Sequence, residues 1–106
     1  MKTSIVALLS AGVLIVGVPA FGAGNPDAAL FKSKCVMCHA ANGSGDTPMG
    51  KSQKLRDLRS DVVQKQTDIE LTKVIAGGKG KMPAFGKQLS TPQIESLIAF
   101  IRTLKK

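Results

Sequence analysis

Cys35-Val36-Met37-Cys38-His39 is the stretch on which the reading of this 106-residue chain turns. Two thiols with two residues between them, followed at once by a histidine, form the C-x-x-C-H pattern of covalent c-type haem attachment. On a tight turn each thiol can add to one vinyl group at a haem edge, and the imidazole that follows points at the iron. Covalent fixation raises the effective concentration of that ligand, so a small chain keeps the cofactor without enclosing it fully. The other uses of such a pattern fit less well. A thioredoxin-like couple wants a βαβ context, whereas the flanks here are helical in pattern. A structural zinc site wants four ligands, and two cysteines with one histidine need a carboxylate or a second chain to complete it. A Cys35–Cys38 disulfide would close a very short loop and stabilise little.

The N-terminal text sets where this chemistry takes place. Lys2 precedes an apolar run from Ile5 to Val18, and small residues follow at Ala20, Gly22 and Ala23. That layout reads as a secretory signal peptide over residues 1–23, cleaved between 20 and 23. The run is 14 residues long, short of the roughly 17 to 25 that span a bilayer, so no stable membrane insertion is expected. Export agrees with the haem motif, because thioether bonds to haem are expected to form outside the cytoplasm; the expected compartment is the periplasm. Residues 24–106 remain as one domain of 83 residues. A domain of that size buries only about 60% of its unfolded surface, and a haem fills the deficit.

Lys2 is the one basic residue of the leader, so residues 24–106 carry 14 basic against 7 acidic side chains, a formal +7. This balance points to an acidic partner or to solubility alone. Nucleic acid is not expected as a partner: the chain has no Trp or Tyr, and the domain holds only Phe31, Phe85 and Phe100 as stacking platforms.

Along the domain, Asn25-Pro26-Asp27 predicts a helix from about Pro26 to Val36, with Asn25 as cap, delivering the attachment motif at its end. Residues 41–51 read as turn and loop around one haem face. There the Pro48 carbonyl is the expected acceptor for the unliganded nitrogen of His39. The segment 52–66 offers Leu55, Leu58, Val62 and Val63 as apolar anchors, with Arg56 and Arg59 either pairing with haem propionates or simply exposed. Thr67-Asp68-Ile69-Glu70 is a capping box that predicts a helix over about 68–76, ended by Gly77-Gly78. Ser90 or Thr91 caps the last helix, in which Ile94, Leu97, Ile98, Ile101 and Leu104 recur at helical spacing. Phe100, off the centre of that stripe, can meet Phe31 or the Ala28-Ala29 face. No stretch alternates like a strand.

A lone histidine excludes two imidazoles on one iron within the chain. Met1 leaves with the signal, Met37 is trapped inside the attachment turn, and Met49 is held near His39 by a short Gly/Pro loop. Met82 lies 43 residues after His39, in the Gly-rich loop Gly77-Gly78-Lys79-Gly80-Lys81-Met82-Pro83 that can cross to the far face. It is the expected sixth ligand. A thioether favours ferrous iron, and a closed iron leaves no position for substrate. The expected role is one-electron transfer and not catalysis.

Cys35-Val36-Met37-Cys38-His39, with Gly80-Lys81-Met82-Pro83-Ala84-Phe85 and the flanking helices, resembles a small monohaem class I cytochrome c of the bacterial c5, c6 and c-551 types. The resemblance covers almost all of residues 24–106. It implies an all-α fold of three to four short helices and loops wrapped round one covalently attached haem c, with Phe31 and Phe100 near the crossing of the first and last helices. The expected carrier is a diffusible monomer whose Lys79, Lys81, Lys87, Lys32 and Lys34 form a basic rim for acidic redox proteins. The alternatives are a haem protein whose sixth position opens to small ligands or peroxide, and a thiol redox or metal-binding module without haem.

Overall fold

A computed structural model describes residues 11–15 and 24–106. The expected signal peptide lies, apart from residues 11–15, outside the described residues; Val13, Leu14 and Ile15 are exposed. The described part is all-helical, with six helices: α1 (Ala28–Lys34), α2 (Val36–His39), α3 (Pro48–Ser52), α4 (Asp61–Gln64), α5 (Asp68–Gly77) and α6 (Thr91–Thr103). Three of them, α1, α5 and α6, stand where the sequence places helices, and α2, α3 and α4 are short additional turns.

The two long helices form where local signals agree. In α5, Thr67 Oγ1 accepts from the Glu70 amide at 3.1 Å and Glu70 Oε2 from the Thr67 amide at 2.7 Å, so two orphan donors of the first turn are satisfied reciprocally. In α6 Ser90, and not Thr91, is the cap, paired in the same way with Gln93. The α6 stripe buries Ile94, Leu97, Ile98 and Ile101, which join Phe31, Val63, Leu71, Ile75, Phe85 and Leu89 in one core.

Helix α1 is shorter than its sequence suggests. Asp27, and not Asn25, is the cap: its Oδ1 accepts from the Leu30 amide at 2.8 Å. The Asp27 amide in turn donates to the Ser96 carbonyl of α6 at 3.2 Å, which fixes the start of α1 against the last helix and leaves Pro26 outside it. Phe31 is 1% exposed, and its ring meets that of Phe100 at 4.8 Å between centroids, tilted by 45°. This is where α1 packs on α6. At Cys35 the backbone opens to φ −119°, ending α1 and restarting the chain as α2.

The stretch read as loop after His39 is laced to the attachment turn. Thr47 caps α3, and its hydroxyl also donates to the Cys38 carbonyl at 2.8 Å. The α3 C-terminus closes in a Schellman motif: Lys54 N–H donates to the Lys51 carbonyl at 3.2 Å and Leu55 N–H to the Gly50 carbonyl at 2.9 Å. That motif puts Lys54 at φ +52°, where glycine is the usual occupant and any other residue is strained by about 1–2 kcal/mol.

Beyond it, Gln64 Nε2 donates to the carbonyls of Leu58 and Ile101 at 2.8 and 3.0 Å. Arg102 reaches back from α6 to the Gln64 and Gln66 carbonyls and Asp68. Of the four expected anchors in this segment Val63 is buried, Leu55 and Leu58 are half-buried, and Val62 is exposed. Val62 therefore anchors nothing: the single turn of α4 can turn only Val63 inward.

Candidate haem site

The helices surround a cavity of about 640 Å³, within the roughly 300–1,000 Å³ of pockets that hold cofactors. Its wall is mainly apolar, built from Phe31, Leu55, Leu58, Val63, Leu71, Val74, Ile75, Phe85, Leu97 and Ile101. Val74, on the same stripe as Leu71 and Ile75, stays half-buried because it faces this space.

Cys35, His39 and Met82 line the cavity together. The first two come from the α1–α2 junction and the end of α2, where the amides of Cys38 and His39 both donate to the Cys35 carbonyl, at 3.3 and 2.9 Å. Cys38 is half-buried on that turn but not part of the cavity wall. Both thiols are free. Burial, with the neighbouring Cys38 adding to it, pushes the Cys35 thiol up to about 11. Burial also lowers the His39 pKa, which keeps the imidazole neutral with a lone pair to offer.

Met82 arrives from a tight hairpin. Lys79 and Met82 exchange backbone hydrogen bonds, Met82 N–H to the Lys79 carbonyl at 2.9 Å and Lys79 N–H to the Met82 carbonyl at 3.2 Å. Gly80 takes φ +57° at the tip. Two further bonds, from the amides of Phe85 and Gly86 to the carbonyls of Ile75 and Ala76, dock the loop on α5. The other methionines of the described residues stand apart: Met37 is 82% and Met49 45% exposed, and neither lines the cavity.

Several expectations change. His39 Nδ1 is buried without a hydrogen-bond partner; the Pro48 carbonyl, expected to accept from it, belongs to the first turn of α3 and forms no such bond. Arg59 is not available to a cofactor carboxylate. Its Nε and Nη2 donate to Asp57 Oδ1 and Oδ2, both at 2.9 Å, a fork-on-fork pair. These bonds hold the Asp57 carboxyl well below the usual carboxylate range. Arg56 does line the cavity, and so does Lys54, which sequence reasoning passed over. Its one signal was its place four residues past Gly50, where a glycine was absent. Of the expected rim, Lys79 and Lys81 line the cavity, whereas Lys32, Lys34 and Lys87 are exposed elsewhere. No Asp or Glu lines it among the described residues.

An apolar cleft lined by a thiol, an imidazole and a thioether, with one buried imidazole nitrogen unpartnered and with cations but no carboxylate in its lining, fits a flat apolar macrocycle bearing carboxylates. Known proteins agree. Residues 22–101 match the family model described as "Cytochrome C oxidase, cbb3-type, subunit III". The chain is similar to cytochrome c6 of Gloeothece citriformis, 35% identical over 95% of this chain and 89% of the relative. It is also similar to cytochrome c6 of Aphanizomenon flos-aquae, 34% identical over 70% of this chain and 82% of the relative. The solved KustC0563 c-type cytochrome superposes with a TM-score of 0.69 at 26% identity, over 76% of this chain and 99% of that one. With cavity, attachment turn and relatives in agreement, the chain belongs to the small monohaem class I cytochromes c, electron-carrier proteins with one covalently attached haem c.

Proposed function

We propose that the chain is an exported carrier of single electrons whose iron is held by His39 and Met82. The observation that carries this reading is the meeting, in one apolar cavity, of two side chains 43 residues apart in sequence. When bound, the haem supplies a one-electron ferric/ferrous couple. The chain's own residues do the rest. Cys35 and Cys38 fix the cofactor, and His39 offers a neutral imidazole. The hairpin at residues 79–82, closed by its two backbone hydrogen bonds, presents Met82 to the cavity. The apolar wall excludes water, which favours the less charged ferrous state.

The leader at residues 1–23 supports a periplasmic location for a domain of residues 24–106. Among the described residues no helix is long and apolar enough to cross a membrane. The basic surface supports acidic redox proteins as donor and acceptor, met by a monomer.

Intact mass and the visible spectrum of the exported protein test the reading. The expected result is a gain of one haem, and a ferric sulfur-to-iron charge-transfer band that Met82→Ala abolishes. A protein with no haem mass sinks the cofactor assignment. A band that survives in Met82→Ala, or rapid binding of carbon monoxide by the wild type at neutral pH, sinks the ligation and favours an opening sixth site.

A further inference from the structure

The residue that follows His39 stands on backbone that suits glycine. Ala40, the C-cap of α2, takes φ +63° and ψ 159°, a region of backbone space essentially reserved for glycine. Glycine fills the turns with positive φ at positions 43, 45, 78 and 80, and at 40 it would be unstrained. A strained conformation persists only where the surroundings over-determine it. Here the following loop does so. Gly45 N–H donates to the His39 carbonyl at 2.8 Å, and Gly43 N–H to the Ala40 carbonyl at 3.0 Å. The third tie is a side chain: the Thr47 hydroxyl donates to the Cys38 carbonyl at 2.8 Å while accepting from the Gly50 amide at 2.8 Å. Buried Gly50 crowds the same Cys38 oxygen, which lies 2.7 Å from the position a Cβ would take there. The carbonyls of Cys38 and His39 are thus both held by the loop, one at Thr47 and one at Gly45, against the strain at residue 40.

We infer that Thr47 is a positioning residue for His39: its hydroxyl holds the Cys38–His39 peptide, and with it the direction of the imidazole, against the backbone strain at Ala40. The inference rests on the haem reading above. Capping α3 needs only an oxygen that accepts, so the cap alone does not call for a donor at position 47. Without that donor the Cys38 carbonyl is left unpaired beneath Gly50, and Ala40 relaxes toward an ordinary conformation. The Cys38–His39 peptide turns with it.

Proton NMR of the ferric holoprotein tests the assignment, because the spread of the hyperfine-shifted haem methyl signals follows the orientation of the axial imidazole. Thr47→Val is expected to change that pattern, and Thr47→Ser, which keeps the hydroxyl, to retain it. Thr47→Asp separates tether from cap. Its carboxylate still accepts from the Gly50 amide but donates nothing to Cys38, and the pattern changes as in Thr47→Val. Ala40→Gly alone keeps the wild-type pattern. In Ala40→Gly/Thr47→Val the pattern returns most of the way to it, since no strain remains to turn the peptide. Ser90→Ala, which removes a cap of the same kind from α6, leaves the signals in place and so controls for lost stability. A wild-type pattern in Thr47→Val or Thr47→Asp, or a double variant no closer to wild type than Thr47→Val, overturns the inference. Absence of haem mass in the wild type is a different failure, that of the haem reading itself.

Discussion

At the scale of single residues, three glycines close in sequence to the site divide by what a methyl group would meet. Gly50 is buried against the attachment turn, and a Cβ there would stand 2.7 Å from the Cys38 carbonyl oxygen and nearer still to that of Gly45. Both neighbours are backbone and cannot swing aside. Gly50→Ala is therefore expected to destabilise the holoprotein by about 1–3 kcal/mol, read from the midpoint of denaturant unfolding at constant slope. Gly78 combines φ +73° with a Cβ position 2.7 Å from the Met82 carbonyl oxygen and 2.9 Å from the Ala84 nitrogen. The left-handed backbone alone costs an alanine about 1–2 kcal/mol, and the crowding displaces the hairpin that presents Met82. In Gly78→Ala the sulfur-to-iron band should weaken at temperatures where the helices remain intact. Gly77, at the end of α5, has nothing within 4 Å of its Cβ position, and its alanine variant should be neutral or up to about 1 kcal/mol more stable. Equal losses for Gly77→Ala and Gly78→Ala would show that the loop simply tolerates no side chain, and would remove the role assigned to Gly78.

At the scale of elements, the joint between α1 and α6 carries the fold. Phe31 is among the most buried side chains and packs on Phe100, while the Asp27 amide ties the start of α1 to the Ser96 carbonyl. Phe31→Ala should cost about 3–5 kcal/mol, with Phe100→Ala, at a half-buried position, costing less; calorimetry of the two holoproteins orders them. The elements that were legible in the sequence are those whose local signals suffice. Capping boxes at Thr67 and Ser90 and apolar residues at helical spacing marked α5 and α6 because these helices are long enough for periodicity to register. The single turns α3 and α4 were not legible, since isolated turns do not hold themselves. They exist through distant bonds such as Thr47 to the Cys38 carbonyl and Gln64 to the Ile101 carbonyl. The same cause shifted the start of α1: a choice between Asn25 and Asp27 as cap is settled by α6, some seventy residues away. The attachment motif and the Met82 loop, which both border the cavity, could be singled out because their signals are local to a few residues. Lys54 could not, because its place in the cavity lining depends on a backbone angle and on other segments.

At the scale of the whole molecule, the acid range and the empty-handed chain are the two tests of how charge and cofactor share the stability. The Asp57 carboxyl is held below its ordinary range chiefly by the Arg59 side-chain hydrogen bonds. Its contribution is present above the unfolded carboxylate value of about 3.9 and is lost as pH falls through the lower folded value. The wild type should lose stability below that point more steeply than Asp57→Asn, whose melting temperature is lower at neutral pH; parallel curves would mean that the Asp57–Arg59 pair is unlinked to folding. The cofactor decides more. The core residues Phe31, Val63, Leu71, Ile75, Phe85, Leu97 and Ile101 all line the haem cavity, whereas Leu89, Ile94 and Ile98 do not, so most of the core looks into it. Without haem those faces meet water or must collapse, and a domain of this size has little burial to spare. The double variant Cys35→Ser/Cys38→Ser, which cannot form thioethers, is expected to keep part of its helical signal but to bind a hydrophobic dye and to melt without a cooperative heat-absorption peak. Calorimetry is the apt readout, because a chain without Trp or Tyr has almost no aromatic signal to follow. A sharp cooperative transition in that variant would show that the helices sustain the cavity by themselves, and that the haem is a passenger in the fold and not a part of its core.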